Sequence, residues 1–393
     1  MKENSSIHLP YTIEQQLQAY GEHERATDRH KTLWHAWNQN KGWLTHFLEL
    51  TLTSFPAYSR HDATHAQMVL HNIELILGED RIQRLSATDC FMLLHVVYVH
   101  DIGMCITAED RKNAVISDEF ADLIKTYESS NDNNKTKWAA CLKQYRYDYM
   151  EQCRKGDETT AYKRLYEDKL DIYHSLANLL AEYVRAHHGE RSRDRLVQWT
   201  TDKEKLGAGF SFSGIPNRIF SRMAECAGLH TEWKFDRILE LPQEDSGYAH
   251  DCMHPRFIAV LLQLGDALDI DNDRFHPFVL DLVGPLSDTS NLHYQKHNAI
   301  RMLQITPNEI NIAADCSSVE VLHMIRKECS WIEELLKNSS YHWAKIAPCN
   351  FSGCLPSMNR PTLQLNGVSI PQELVSARFR IPQEKAFQLL EGA

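Results

Sequence analysis

His100 and Asp101 stand side by side at the end of the apolar stretch Ala87 to Val99, and Ile102-Gly103 follows them. An imidazole next to a carboxylate can hold a cation or move a proton, but an aspartate after a helix can also simply cap a turn, so the dipeptide alone decides nothing. Asp266 adds weight because it lies inside a run, Phe257 to Leu264, that is apolar except for Gln263. Leu262 is one turn back, so a helical period aims Asp266 where its apolar neighbours point. Burying an ionised carboxylate costs several kcal/mol unless it is paired or bound to a metal. An arginine, a helix terminus or a cation would each meet that demand. His65 stands one turn before Val69 on the inward face marked by Val69, Ile73 and Ile76. Two imidazoles with two carboxylates suit Mn, Fe, Co, Ni or Zn better than Ca.

The elements that must position these residues read as helices. Ile13 to about Leu52 has the spacing of two helices, and a third follows Asp62. Ala87 to His100 is apolar nearly all round, as a helix buried inside a bundle would be. Residues from about Thr107 to Asp171 are polar and charged and read as a helical insertion, with SSNDNNK at Ser129 to Lys135 as a flexible, mobile tip. Ile172, Leu176, Leu179 and Tyr183 mark an amphipathic helix expected to stop at Gly189. Past the glycines between Gly207 and Gly214, a helix through Ile219, Met223 and Cys226 reaches His230, and another runs from Pro255 to Leu268. After Pro277, Ala299 to Ile305 and Ile310 to Ala314 flank Pro307-Asn308 as strand, turn and strand. Val319 to Leu336 is helical, and short strand-like pieces recur at Thr362 to Leu365 and Ala377 to Ile381. The reading is mainly α: a helical domain over 1–276 with its insertion at about 107–171, then a smaller α+β appendage over 277–393 with a β-hairpin and an irregular tail.

The formal net charge of -11, from 42 basic and 53 acidic residues, argues against binding nucleic acid through the whole surface. The ten cysteines form no CxxC pair and read as reduced thiols of a cytoplasmic protein. Neither a signal-peptide core nor an apolar stretch long enough to cross a bilayer is visible, so no membrane partner is expected.

The order His65, then His100-Asp101, then a distal Asp266 resembles the H…HD…D signature of HD-superfamily phosphohydrolases. The resemblance runs from about Ser59 to Arg274 through the phrases HDATHAQMVL, VVYVHDIGM and LLQLGDALDIDNDR. It implies a helical HD bundle in which those four residues bind a divalent transition metal, with Asp101 also catalytic. His188 in AHHGERS and His230 in AECAGLHTEW, both placed at helix ends, match the order of HD proteins that hold a second ion with the motif aspartate as bridge. His187 competes with His188 because the apolar stripe there is broad. His187 and Arg191 are also candidates for substrate binding, although an arginine at a helix end can equally be solvated. One branch is disfavoured: HD-GYP cyclic-dinucleotide phosphodiesterases carry a lysine where this chain has Met104, and no GYP tripeptide follows. The phrases NLHYQKH and RFRIPQEKAFQLLEGA resemble bacterial HD domains that precede a GHKL ATPase domain of the heat-shock-chaperone type. That resemblance implies a GHKL-type ATPase partner or a missing C-terminal domain.

The expected activity is hydrolysis of a phosphoester or phosphoanhydride, in a nucleotide or another phosphorylated substrate, by a cation-activated water. A single-strand nuclease of bacterial defence would need a basic track, for which Lys135, Lys137, Lys143, Arg146 and Arg154 are the source, unless they form a solvated helix face. A nucleotide-sensing module that controls a partner ATPase is a third reading, from a different class.

Overall fold

The computed structural model describes residues 11–55, 62–155, 170–201, 210, 214–232, 234–270 and 288–370. Threonines open the first two helices, α1 (Ile13–Glu22) and α2 (Asp28–Ser54). Thr12 and Thr27 each accept the N–H three residues on, and the side chain there reaches back to the threonine N–H. Asp62 caps α3 (Ala63–Leu77) by accepting from Thr64 and His65, and Gly78, at φ 68°, ends it before the short α4 (Glu79–Ile82). Every residue of α5 (Ala87–Val99) is buried, as its apolar circumference predicts. A tight turn, Ile102–Met104, follows it.

The insertion comprises α6 (Ala108–Ile116), α7 (Asp118–Glu128) and α8 (Asn133–Arg154). The expected loop is shorter than read: Asn133, Asn134 and Lys135 belong to α8, while Ser129 to Asp132 form the turn before it. The Asp132 carboxylate accepts from the Asn134 and Lys135 N–H groups, and the Thr136 hydroxyl donates to the Ser130 carbonyl. Short polar side chains that suit a loop suit a helix start equally well. Phe120, Ile124, Trp138 and Leu142 pack against Leu179, Leu180 and Val184 as an apolar cluster separate from the main core.

The long helix α9 (Leu170–Thr201) also corrects the sequence reading, because it runs through Gly189 without stopping. A Cβ on Gly189 would meet Thr231 Oγ1 at 2.5 Å and the Gly228 carbonyl at 3.0 Å. The glycine permits two segments to touch and ends nothing. The second segment is α10 (Asn217–Gly228), continued by a single turn, Leu229–Thr231. A short helix, α11 (Phe235–Glu240), and a two-stranded hairpin of β1 (Asp245–Ser246) and β2 (Cys252–Met253) lead to α12 (Pro255–Ala267).

The appendage holds α13 (Asp288–Ala299), the hairpin β3 (Ile300–Ile305) and β4 (Glu309–Cys316), α14 (Val319–Tyr341), α15 (Trp343–Ile346) and the strands β5 (Ser357–Met358), β6 (Thr362–Leu365) and β7 (Val368–Ser369). The sheet order is β3-β4-β6-β7. β4 pairs antiparallel with β3 and parallel with β6, and β5 also joins β4 in parallel. The strand-like piece at Ala377 to Ile381 and the closing phrase lie outside the described residues. Ile310, Ile312, Ile325 and Ile332 of the appendage belong to the same apolar core as Ile73, Phe91 and Phe257 of the bundle. The fold is mainly α with a small α+β appendage. Among the described residues no single helix is long and apolar enough to cross a membrane.

Glu74 on α3 ties the N-terminal helix to this core, its buried carboxylate accepting the Ile13 N–H at 2.9 Å. Burial pushes its carboxyl from an ordinary 4.5 up to about 7, against the opposing pull of that N–H. The unfolded chain releases this proton near 4.5 and the folded one near 7, so stability falls as pH rises through that window and stays lower above it. Glu74→Gln keeps an acceptor for Ile13. It is expected to raise stability at pH 8 by on the order of 3 kcal/mol, at about 1.4 kcal/mol per unit, with little gain at pH 4. Urea midpoints at the two pH values measure this, and an equal gain at both would refute it.

Candidate metal centre

Five separate elements deliver the polar side chains to one place inside the bundle. The Asp62 cap starts α3 so that His65 falls in its first turn. α12 crosses α3 at Gly265, where a Cβ would lie 2.7 Å from Ile73 Cγ1, and Asn72 donates to the Gly265 carbonyl at 3.1 Å. Asp266 is thereby brought to His65, with Oδ1 3.3 Å from Nε2. His100 and Asp101 close α5, and their turn is held by α9: Ser192 donates to the His100 carbonyl, Arg191 to that of Gly103, and Arg195 to those of Ile102 and Cys105.

The two oxygens of Asp101 face different partners. Oδ2 lies 3.2 Å from His65 Nε2 and 3.3 Å from His100 Nε2, whereas Oδ1 lies 3.5 Å from His188 Nε2 and 3.7 Å from His230 Nε2. His65 and His100 bring their Nε2 atoms to 3.2 Å, and His188 and His230 to 2.9 Å. Each of the four rings is oriented through Nδ1, which donates to Asp269 Oδ2 for His65 and to the carbonyls of Val97, Arg185 and Ala227 for His100, His188 and His230. That anchoring assigns the tautomer: the neutral rings turn their Nε2 lone pairs toward one another and toward Asp101. Lone pairs at 2.9 Å repel unless a proton or a metal cation lies between them. The donor set of imidazole nitrogens and carboxylate oxygens fits a divalent transition metal.

Electrostatics agree with this arrangement. Burial pushes His230 down to about 3, helped by the neighbouring His188 and His100, so it offers a lone pair at neutral pH. Burial also opposes the charge on His100, but Asp101 beside it outweighs that effect and the net shift is upward. Burial alone would raise Asp266. The imidazoles of His65 and His100 beside it, where they carry charge, draw it well below the usual carboxylate range instead, as a cation held there would. The cluster has a mouth, because Asp266 and His188 keep 27% and 17% side-chain exposure while His65, His100 and His230 keep 1%.

His188 and His230 are inside the cluster, although not as helix ends both: His188 lies within α9 and His230 in the turn after α10. His187 is exposed and tilts against the Tyr183 ring, since one residue along a helix turns the side chain by about 100°. It takes no part in the cluster. Arg191 serves the His-Asp turn, and its Nη2 is buried without a hydrogen bond. Sequence reasoning missed Asp269, Ser192 and Arg195. Asp269 is three residues past Asp266, and Ser192 and Arg195 are four and seven past His188, so helical spacing from a chosen ligand could have found all three.

The basic track is largely committed elsewhere. Lys135 pairs with Glu182, Lys143 with Glu128, and Arg146 donates to the carbonyls of Val115 and Ser117, while Lys137 and Arg154 are exposed.

Gly103 sets how closely α9 approaches the His-Asp turn, since a Cβ there would lie 2.1 Å from the His188 carbonyl and 2.8 Å from Ser192 Oγ. Gly103→Ala should drive α9 away, separate His188 from Asp101 and cost about 1–3 kcal/mol, as overpacking does. Metal content and a urea midpoint check it, and wild-type values for both would show that the approach is not required.

Among comparisons with known proteins, the family model described as HD-CE matches residues 55–338. No curated protein and no solved structure matches the chain.

Proposed function

The chain belongs to the HD-CE family of HD-type domains, and on that premise we propose that it is a metal-dependent phosphohydrolase acting on a phosphoester or phosphoanhydride, with a nucleotide as the leading substrate class. In this reading His65, His100, Asp101 and Asp266 hold one divalent ion, while His188, His230 and the other oxygen of Asp101 hold a second. One observation carries it: each oxygen of Asp101 faces its own pair of imidazole nitrogens within 3.7 Å. When bound, two divalent ions polarise phosphoryl oxygens and lower the pKa of water toward neutrality. The protein's own part is orientation. Nδ1 anchors direct four lone pairs inward, Asp269 fixes the His65 ring, and Ser192, Arg191 and Arg195 hold the turn that carries the bridging carboxylate. Asp266 and His188 mark the side from which substrate enters.

A GHKL-type ATPase as partner is a proposal carried by the phrases NLHYQKH and RFRIPQEKAFQLLEGA alone, the second lying outside the described residues. Metal analysis of the purified protein, followed by a Mn assay against nucleotides and single-stranded DNA, tests the function. Bound transition metal with nucleotide turnover is expected. Cleavage confined to single-stranded DNA would favour the nuclease, and metal binding with nucleotide affinity but no turnover would favour a sensor.

A further inference from the structure

Two arginines of α9 close on the turn that carries Asp101. Arg191 Nε donates to the Gly103 carbonyl at 2.9 Å, and Arg195 Nη1 donates to those of Ile102 at 2.6 Å and Cys105 at 2.8 Å. They stand four residues apart on the stripe of α9 that also carries His188 and Ser192. Like charges at that spacing repel, and more strongly out of water: the two side chains keep 25% and 11% exposure.

Asp110, at the root of the insertion, opposes that repulsion. Its Oδ2 accepts from Arg195 Nη2 at 2.7 Å, and its Oδ1 lies 3.9 Å from Arg191 Nη2, an atom buried without a hydrogen bond. The carboxylate is fixed in turn by the start of α6, where Oδ2 also accepts from the Thr107 N–H at 2.8 Å and the Thr107 hydroxyl at 2.9 Å. Burial alone would raise the Asp110 carboxyl, but Arg195 and the Thr107 donors draw it below its ordinary value, so it stays an anion. The distance it controls is short. Gly103 leaves no room for a Cβ against the His188 carbonyl, and His188 Nε2 is 3.5 Å from Asp101 Oδ1.

We propose that Asp110 is a positioning residue for the metal centre: by holding Arg191 and Arg195 against the His-Asp turn, it keeps α9 close enough for His188 to share a second ion with Asp101 Oδ1. This rests on the binuclear reading above and extends it to the insertion, whose first helix carries Asp110. The effect is selective, because His188 is carried by α9, whereas the rings facing Asp101 Oδ2, His65 and His100, come from α3 and the end of α5.

Calorimetric titration of the full chain, cleared of metal by a chelator, with Mn tests it. The wild type is expected to take up two ions. Asp110→Asn keeps an oxygen for the Thr107 donors but loses the charge. It should weaken the second ion by about tenfold or more, the scale on which losing a group that orients a metal ligand is felt, and leave the first unchanged. Asp110→Glu restores the charge and suits the same place in a capping box, so it should recover part of the loss. Ser117→Ala removes the cap of α7 in the same insertion without touching either arginine, and it should lower the urea midpoint while leaving both ions in place. Unchanged affinity for the second ion in Asp110→Asn would overturn the assignment. Equal weakening of both ions there, or the same selective loss in Ser117→Ala, would mark a general loosening of the insertion and overturn it too. A wild type that takes up one ion would instead overturn the binuclear reading beneath it.

Discussion

Asp101→Ala is expected to abolish turnover, by at least about a thousandfold, the scale on which loss of one electrostatic stabiliser of a transition state is felt. It should lower metal content at both positions, because the two oxygens of Asp101 face both imidazole pairs. The remaining imidazoles would still be anchored through Nδ1, so helical content should be retained. Without bound metal the change should cost little stability, since it removes a buried charge that requires cationic neighbours. Elemental analysis, circular dichroism and a turnover assay measure the three parts. A variant that keeps both its metal and its activity would sink the proposed centre, and one that simply fails to fold is recognised by its lost helical signal. Asp101→Asn then provides the same test with the side-chain volume kept.

The second large effect is expected at the other imidazole pair. His188→Ala and His230→Ala should each reduce metal content toward one ion per chain, leaving His65, His100, Asp101 and Asp266 as the residual set. Removing one ring takes away one of the two imidazole nitrogens that face Asp101 Oδ1, and a single carboxylate oxygen with one imidazole competes weakly with water for a divalent cation. Turnover should fall by about a hundredfold or more, with substrate affinity less affected, as for a group that acts mainly on the transition state. His230 lies deeper than His188, and burial holds it neutral down to about pH 3. His230→Ala should therefore also open a cavity and lower stability, by about 1–3 kcal/mol on the scale of other buried truncations. If both variants retain two ions, or if the wild type binds only one, the binuclear reading fails and a mononuclear site remains.

Much of this centre was legible along the chain. A helix apolar on every side can only be a buried one, so His100 and Asp101 at its end had to be inside, and the observed burial of all of α5 follows. An aspartate one turn past Leu262 in a run as apolar as Phe257 to Leu264 had to meet something charged. The strand pair around Pro307-Asn308 was equally visible, because turn residues between alternating strands specify their own neighbours.

Local pattern failed where one residue type serves two purposes. A glycine after a polar run reads as a helix stop, yet Gly189 is present because Thr231 approaches within a distance no Cβ allows. Ser129 to Lys135 read as a loop throughout, yet Asp132 caps α8 and the residues from Asn133 on belong to that helix. His187 and His188 could not be separated by periodicity while the apolar stripe was broad, and only packing against α10 decided which ring turns inward.

By itself the sequence determined the helical class and the burial of the His-Asp turn, since these depend on periodicity and on the cost of burying charge, which act over a few residues, whereas the order of the candidate ligands came from the resemblance to HD phosphohydrolases. Only the tertiary structure decided that the two oxygens of Asp101 face separate imidazole pairs, that Asp269 orients His65 from 204 residues away, and that Asp110 meets Arg195 across 85. Such contacts are set by how α3, α5, α9, α10 and α12 cross, and crossing geometry is a property of packed surfaces that no stretch of sequence expresses alone.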